Sequence, residues 1–479
     1  MNVYRTLVIG ILGVLCVASS AVCAQKIIVD CSSIDGEFRA LHGVNGGILS
    51  EGSTVDLTPF WQEAKIPSTR LHDCQWPAPA VVDIHALFPD FRNDPKQPES
   101  YRFGPTDDYL KPIVQNSTQI IYRLGESIEH TERKHFVNPP PDAEKWAEIA
   151  LHVVKHYNDG WADGFQYNIQ YWEIWNEPEN KPAMWTGTEN EYFNLYQAAA
   201  KKIKQRYPHL KVGGPSIGGG FEIAENGWQV SPYVVSFLHF VKTNEVPLDF
   251  FSWHTYTDEP RELVEKNRVI RKYLDDYGFA STEIHLNEWN YLPDKDWGPM
   301  LHKYNGKERE KWYQRMSGSE GAAFLLAVLL EMQNEKVDVC NFYKGDTGGF
   351  GLFTVDGTPK KNFFAMKAFQ QLLATPLKFK CDGMVPNQCT VAAGTNSERN
   401  AITVLVANLH NDTEQNTIRF HGLSGWRHAK YELYLLDDGH DLEIVKTGNI
   451  EVSGGKFELH FAHPQSSVLL ISITTLDYP

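Results

Sequence analysis

Residues 168–180 read NIQYWEIWNEPEN, an apolar run that stops abruptly at Asn176, Glu177 and Pro178. Its isoleucines and aromatic residues mark a buried strand, and Pro178 ends it because a proline has no amide to give to a neighbouring strand. A second run of the same design, TEIHLNE at 282–288, ends at Asn287 and Glu288. Working outward, six more strand-length runs follow the pattern: ALHGVNG at 40–46, PSTRLH at 67–72, QIIYRL at 119–124, LKVGGP at 210–215, LDFFSWH at 248–254 and VDVCNFY at 337–343. Stretches of helical period separate them, at 142–156, 189–207, 232–242, 260–277, 308–334 and 362–373, with Asp142 placed to cap one helix and Gly278 to stop another. Eight strands alternating with helices predict an α/β fold, a closed (β/α)8 TIM barrel over residues 39–374.

The pattern changes after Pro376. Segments such as AITVLVANL and SSVLLISITT are β-branched with turn residues between them, which predicts a β-sandwich over residues 375–479. The run KIIVDC has the same character, so residues 25–38 are expected to lend that sandwich a strand from the other chain end. Residues 1–24 read as a secretory signal peptide, with Arg5, an apolar run at 7–17 and small residues leading to cleavage after Ala24. The mature protein is therefore expected to be secreted or periplasmic. Residues 73–101 form a long stretch with five prolines, expected to wall off one side of a pocket.

A formal charge of −15 argues against nucleic acid or an anionic membrane surface as partner. Past the leader the cysteines are Cys31, Cys74, Cys340, Cys381 and Cys389, an odd set that excludes complete pairing, although Cys381 and Cys389 are close enough to close a hairpin. No CxxC or HExxH spacing is present, so neither a metal nor a cofactor is expected. Aromatic content is high, with 13 Trp and 21 Tyr. Trp76, Trp185, Trp228 and Trp297 fall in segments that read as loops, where they either stack on a sugar ring or cover the edge of the core.

In such a barrel the active site forms at the C-terminal ends of the strands. The polar residues there are Asn45 on the first run, Arg70, His72 and Asp73 on the second, and Asn176 and Glu177 on the fourth. His254 and Tyr256 follow the sixth, Asn287 and Glu288 close the seventh, and Tyr343, Lys344 and Asp346 follow the eighth. Two glutamates on strands four and seven face each other across the barrel mouth, and carboxyl groups about 5–5.5 Å apart are what double displacement at a sugar carbon requires. Glu177 then serves as acid/base, with a pKa raised by Trp175 and Glu288, and Glu288 as nucleophile, kept ionised by Arg70, Tyr256 and His254. Asn176 is placed to bond the sugar 2-hydroxyl.

These residues resemble those of the retaining glycosidases of clan A, and among them glycoside hydrolase family 39, which holds β-xylosidases and α-L-iduronidases. The W-N-E-P run of that family is matched by Trp175, Asn176, Glu177 and Pro178; its E-x-N run by Glu288, Trp289 and Asn290; its R-x-H run by Arg70 and His72. The segment GGFGLFTVDGTPKKNFFAMKAFQQL at 348–372 resembles the family's last loop and helix. The resemblance implies a sandwich made from both chain ends, and a carbohydrate pocket that Trp289, Tyr343, Lys344 and Asp346 join. The iduronidases carry a basic residue after the strand-six histidine, whereas this chain has His254-Thr255-Tyr256-Thr257-Asp258. That departure favours a neutral sugar (xylose, arabinose or galactose), and the long proline-rich stretch after the second run favours exo action at the non-reducing end. A uronidase anchored by Lys344 and a silent carbohydrate-binding protein are the alternatives.

Overall fold

The strands are β1 (Lys26–Glu37), β2 (Gly43–Asn45), β3 (Ser68–Leu71), β4 (Gln119–Leu124), β5 (Tyr171–Ile174), β6 (Lys211–Ile217), β7 (Phe221–Ala224), β8 (Gly227–Val230), β9 (Phe250–Thr257), β10 (Glu283–Tyr291) and β11 (Val339–Phe342). Eight of them close a parallel barrel in the order β2, β3, β4, β5, β6, β9, β10, β11, and β11 bonds back to β2. All eight runs read as strands are there. The computed structural model describes residues 26–50, 52–225, 227–301, 306–411 and 416–477, so the leader read at 1–24 lies outside the described residues. None of the described helices is long and apolar enough to cross a membrane.

The helices between barrel strands are α1 (Thr58–Ala64), α2 (Ile84–Leu87), α3 (Gly104–Gln115), α4 (Ala143–Asp159), α5 (Glu189–Arg206), α6 (Pro232–Thr243), α7 (Pro260–Asp276), α8 (Gly306–Ser317) and α9 (Ser319–Glu331), and α10 (Lys361–Leu372) follows the last strand. Asp142 caps α4 through a bond from the Lys145 amide at 3.0 Å, and Thr188 with Glu191 forms a capping box on α5. The single helix expected over 308–334 is broken at Gly318. A Cβ there would stand 2.5 Å from the Gln314 carbonyl oxygen, closer than such atoms approach. The hairpin β7–β8 is an addition that periodicity did not reveal.

The accessory domain adds β12 (Leu377–Asp382), β13 (Cys389–Thr395), β14 (Ala401–Asn408), β15 (Asn416–His421), β16 (His428–Leu436), β17 (Asp441–Glu451), β18 (Lys456–Phe461) and β19 (Ser467–Thr475). With β1 they make one hydrogen-bonded sheet of nine strands, ordered β17, β16, β19, β14, β13, β12, β1, β15, β18. Residues from both edges, Ile450 and Phe457, share one buried cluster with central Val404 and Ile471, so the sheet curls around its own core. The N-terminal strand sits well inside it, antiparallel to β12 and parallel to β15. The other face of the sheet, through Leu405, Ala407 and Leu470, joins the barrel's core. Helix α9 is buried on all sides (SEGAAFLLAVLLE), as a helix packed on several of its faces must be. Cys381 stands as a thiol, its sulfur donating to the Phe379 carbonyl at 3.8 Å, so the link to Cys389 is not formed.

Of residues 73–101, Asp73 lines the pocket, where it accepts from the Tyr343 hydroxyl at 3.1 Å, but the rest of the segment does not form the expected wall. Val81, Val82, Ile84, Leu87 and Phe88 are buried in the barrel's main core. Asp83 accepts from Arg123 at 2.6 Å and from the Ser127 amide at 2.8 Å, and His85 pairs with Glu126. Apolar side chains and these ion pairs pull the segment onto the flank of β4 instead of over the mouth.

Candidate active site

Arg70 rises from β3 into the centre of the barrel and is fully buried. All five of its N–H donors are used. Nε donates to Glu173 Oε2 at 2.6 Å; Nη1 to Glu288 Oε2 at 3.1 Å and Asn45 Oδ1 at 3.3 Å; Nη2 to Asn176 Oδ1 at 2.5 Å and Ser216 Oγ at 2.7 Å. A planar guanidinium with fixed donors thus sets the relative positions of four strand ends. Glu173 is the other half of this centre. Burial opposes its ionisation, but Arg70 and neighbouring donors outweigh burial and hold it below the usual carboxylate range.

Glu288 reaches the cavity through an irregularity in β10. The pairing of β10 with β9 slips between Leu286 and Glu288, an extra residue of the β-bulge kind that resets which side chains face inward. Asn287 and Glu288 both point to the barrel interior, Asn287 bonding Glu173. Trp289 is thereby turned outward against Phe324 and Phe342 and is fully buried there. The expectation that Trp289 contacts the sugar is corrected on this ground. Tyr256 donates to Glu288 Oε1 at 2.8 Å.

Glu177 sits past the end of β5 on a backbone that turns through the left-handed region at Trp175 (φ 72°) and Glu177 (φ 43°). Each such residue costs about 1–3 kcal/mol and persists only where its surroundings hold it. Here the Trp175 amide donates to Leu124 O at 2.7 Å and the Glu177 amide to Ser216 O at 2.9 Å. The Trp175 ring faces away from Glu177, buried beside Trp146 and Trp185. Asn180 donates to Glu177 Oε2 at 3.0 Å, and His254 Nδ1 lies 2.8 Å from Oε1. His254 Nε2 is 2.7 Å from Ser216 Oγ, the hydroxyl that accepts from Arg70, so a chain of bonds runs from Arg70 to Glu177.

Glu177, His254 and Glu288 bring one ionisable atom each within 4.8 Å of one another. The carboxyl groups are therefore as close as double displacement needs. Three donors at that spacing are also a metal-like triangle, but each is already engaged by Tyr256, Arg70, Ser216 or Asn180, and the arrangement serves to share protons. The expected proton distribution is reversed. Burial pushes Glu177 up, yet the adjoining His254 bond, Asn180 and Arg70 outweigh it and hold Glu177 below the usual range. For Glu288, burial and the Glu177 charge outweigh His254, Arg70 and Tyr256, and it lies above the usual range. Burial also opposes the charged form of His254, but Glu288 and Glu177 prevail and raise it. The reason is distance: His254 is 2.8 Å from Glu177 and 3.7 Å from Glu288.

Glu177, His254, Tyr256, Glu288 and Tyr343 line a cavity of about 780 Å³, together with Trp297, Phe350 and Met300 on one side and Glu179 and Gly218 on another. Asn45 lies behind Arg70, bonded to the Asn287 carbonyl at 2.9 Å. His72 is buried 3.9 Å from Glu288 and 3.4 Å from Asp73. Lys344 pairs with Asp346 at 3.1 Å, and neither lines the cavity, so their expected sugar contacts are corrected: the β11 end turns them toward each other. Of the four loop tryptophans, Trp297 lines the cavity; Trp185 is core, Trp76 packs on the core, and Trp228 lies under Lys266 Nζ at 4.4 Å. Glu173 had a signal in the sequence, a charge inside an apolar strand. Ser216 had none, because its place depends on a slip in the pairing of β6 with β9.

Tyr256→Phe is expected to lower kcat/KM by about 10- to 100-fold, the worth of a hydrogen bond to a charged group. Because that bond opposes the upward shift of Glu288, the acidic limb of the pH profile is expected to move to higher pH. A kcat/KM profile from pH 4 to 8 checks both.

The model for Glycosyl hydrolases family 39 matches residues 81–291. The chain is 28% identical over 258 residues to a β-xylosidase of Geobacillus stearothermophilus, covering 49% of this chain and 48% of that one. It is 24% identical over 365 residues to a β-xylosidase of Caldicellulosiruptor saccharolyticus, covering 67% and 66%. The matched stretches thus span about half to two thirds of the length of these two relatives. Among solved structures, the glucosidase from Croceicoccus marinus superposes with a TM-score of 0.77 at 25% identity, covering 95% of this chain and 99% of that one. A GH39 enzyme from Xanthomonas axonopodis pv. citri shares the fold, with a TM-score of 0.72 at 17% identity over 97% and 100%. The family match runs from the barrel's second connecting segment through Glu177 to Glu288, and solved relatives share the whole architecture, so over its barrel the chain is similar to glycoside hydrolase family 39.

Proposed function

We propose that this protein is a retaining exo-glycosidase that removes a neutral sugar (xylose, arabinose or galactose favoured) from the non-reducing end of an oligosaccharide or polysaccharide. The observation that carries the reading is the approach of Glu177 and Glu288 to within 4.8 Å, one on a histidine and the other on an arginine and a tyrosine. Glu177 protonates the leaving oxygen while Glu288 attacks the anomeric carbon; Glu177 then takes a proton from the water that releases the glycosyl group from Glu288. The proton for the first step is at hand. Passing it from His254 Nδ1 to Glu177 over 2.8 Å turns an ion pair into a neutral acid and a neutral imidazole, with no change in net charge. Asn176 Oδ1 is committed to Arg70, which leaves its amide N–H for the sugar 2-hydroxyl. The cavity volume suits a sugar and the start of its aglycone.

The test is a panel of aryl xylosides, arabinosides and galactosides, with glucosides added because the Croceicoccus relative is a glucosidase. The anomer first released is followed by NMR; initial release of the inverted sugar would sink the reading. Export belongs to the proposal through the leader at 1–24, and N-terminal sequencing of the mature protein should begin at Gln25. For the uronidase alternative Lys344 is the anchor, yet it is tied to Asp346. Lys344→Met is expected to leave KM for a neutral aryl glycoside within about twofold and to lower the melting temperature, because buried Asp346 loses its cation. Uronoside hydrolysis whose KM rises in this variant would reverse the assignment.

A further inference from the structure

Glu179 stands two residues beyond the acid/base, and the two-carboxylate chemistry makes no use of it. Its Oε1 accepts from the backbone amides of Gly218 and Gly219, each at 2.7 Å, in the turn that follows β6. Its Oε2 is sealed from solvent and takes no hydrogen bond. The turn it holds lies against the acid/base: a Cβ at Gly218 would stand 2.2 Å from Glu177 Oε1, so only glycine lets the backbone come this close. Glu179 therefore joins the two turns that frame Glu177, its own and that of Gly218.

We propose that Glu179 is a positioning residue for the acid/base, clamping the Gly218 turn over Glu177 and, when ionised, favouring the protonated form of Glu177 by charge repulsion. The proposal rests on the reading of Glu177 as acid/base. Burial and the Glu177 charge raise Glu179 to about 7, outweighing the Gly219 amide and His254. It faces Glu177 on its own turn and His254 on β9. The phenols of Tyr192 on α5 and Tyr233 on α6 also feel it, both pushed well above the ordinary range by burial with Glu179 among the charges that raise them. Once Glu179 is ionised, its charge holds the proton shared by His254 and Glu177 to higher pH and draws it toward the Glu177 side of that bond.

Two variants separate the clamp from the charge. Glu179→Gln keeps an acceptor for the two amides and removes the charge; Glu179→Asp keeps the charge and falls short of the amides. With a poor leaving group, Glu179→Gln is expected to move the alkaline limb of kcat/KM down by about half to one pH unit. With a dinitrophenyl leaving group, which needs no acid, kcat/KM should stay within about twofold. Glu179→Asp is expected to leave the limb in place and lower kcat about tenfold. An unmoved limb in the first variant overturns the charge role, and an unchanged kcat in the second overturns the clamp.

A readout free of turnover accompanies them. The folded-state pKa of Glu179 lies above the unfolded value, so its contribution to stability is present at low pH and is lost as pH rises toward about 7. The melting temperature of Glu179→Gln should therefore gain on the wild type between pH 5 and pH 8. A constant difference overturns the titration of Glu179 whether or not a glycoside is cleaved. A widening difference in a protein that cleaves no glycoside overturns the functional reading and leaves the carboxyl's behaviour standing.

Discussion

Glu288→Ala is expected to lower turnover by on the order of 10⁴-fold or more, and azide to restore it with a product of inverted configuration. Glu288 is the carboxylate that Arg70 and Tyr256 orient, at 3.1 and 2.8 Å, toward the cavity shared with Glu177. Truncation leaves a space beside the anomeric carbon into which a small anion fits. The anion makes a single displacement with Glu177 still present as acid, so configuration inverts once and the product keeps the azide. At Glu177→Ala the outcome differs. A substrate with a good leaving group still forms the glycosyl–Glu288 bond, azide then attacks in place of the water that Glu177 would have activated, and two displacements give a retained product. Product anomers are read by NMR. Swapped outcomes would exchange the two roles, and activity persisting in both variants would remove both residues from the chemistry.

Arg70→Met is expected to cost about 3–5 kcal/mol of stability and to abolish activity, the second-largest effect in the molecule. The cost does not come from the methionine. Glu173 and Glu288 remain buried after their shared cation is gone, and Asn45, Asn176 and Ser216 lose a donor each. The pH dependence follows from Glu173. In the wild type its folded-state pKa is lowered, so the stability it contributes is present above the unfolded value and is lost on acidification. Without Arg70 the Ser252 and Asn287 bonds remain, but the largest influence opposing burial is gone and the pKa of Glu173 moves up. The deficit of Arg70→Met relative to wild type should therefore be largest near neutral pH and shrink toward pH 4. Thermal unfolding at several pH values checks this; a deficit that grows toward acid pH would mean that Arg70 does not neutralise Glu173.

The features that came directly from sequence are those in which local chemistry and final position coincide. An apolar run such as QIIYRL has no stable fate but a buried strand, and the strand occupies residues 119–124 as read. Glu177 and Glu288 follow such runs, and in a parallel barrel a strand's C-terminal end opens at the mouth, so their meeting was legible before any coordinates. Arg70, His254 and Tyr256 were legible for the same reason.

Only the tertiary structure decided where side chains near those ends point. The slip in β10 sends Trp289 out of the pocket that its neighbour Glu288 enters. Lys344 and Asp346 satisfy each other, and residues 73–101 spend their apolar side chains on the core. The proton distribution across Glu177, His254 and Glu288 likewise depends on 2.8 Å against 3.7 Å, a difference set by how β5, β9 and β10 pack. By itself the sequence determined the barrel, the domain built from both chain ends and the identity of the facing carboxylates, because these follow from periodicity and strand polarity. Tertiary structure alone decided which groups surround Glu177, the Gly218 turn held by Glu179 among them, because hydrogen bonds between residues some 40 apart in sequence are set by register and bulges that leave no pattern along the chain.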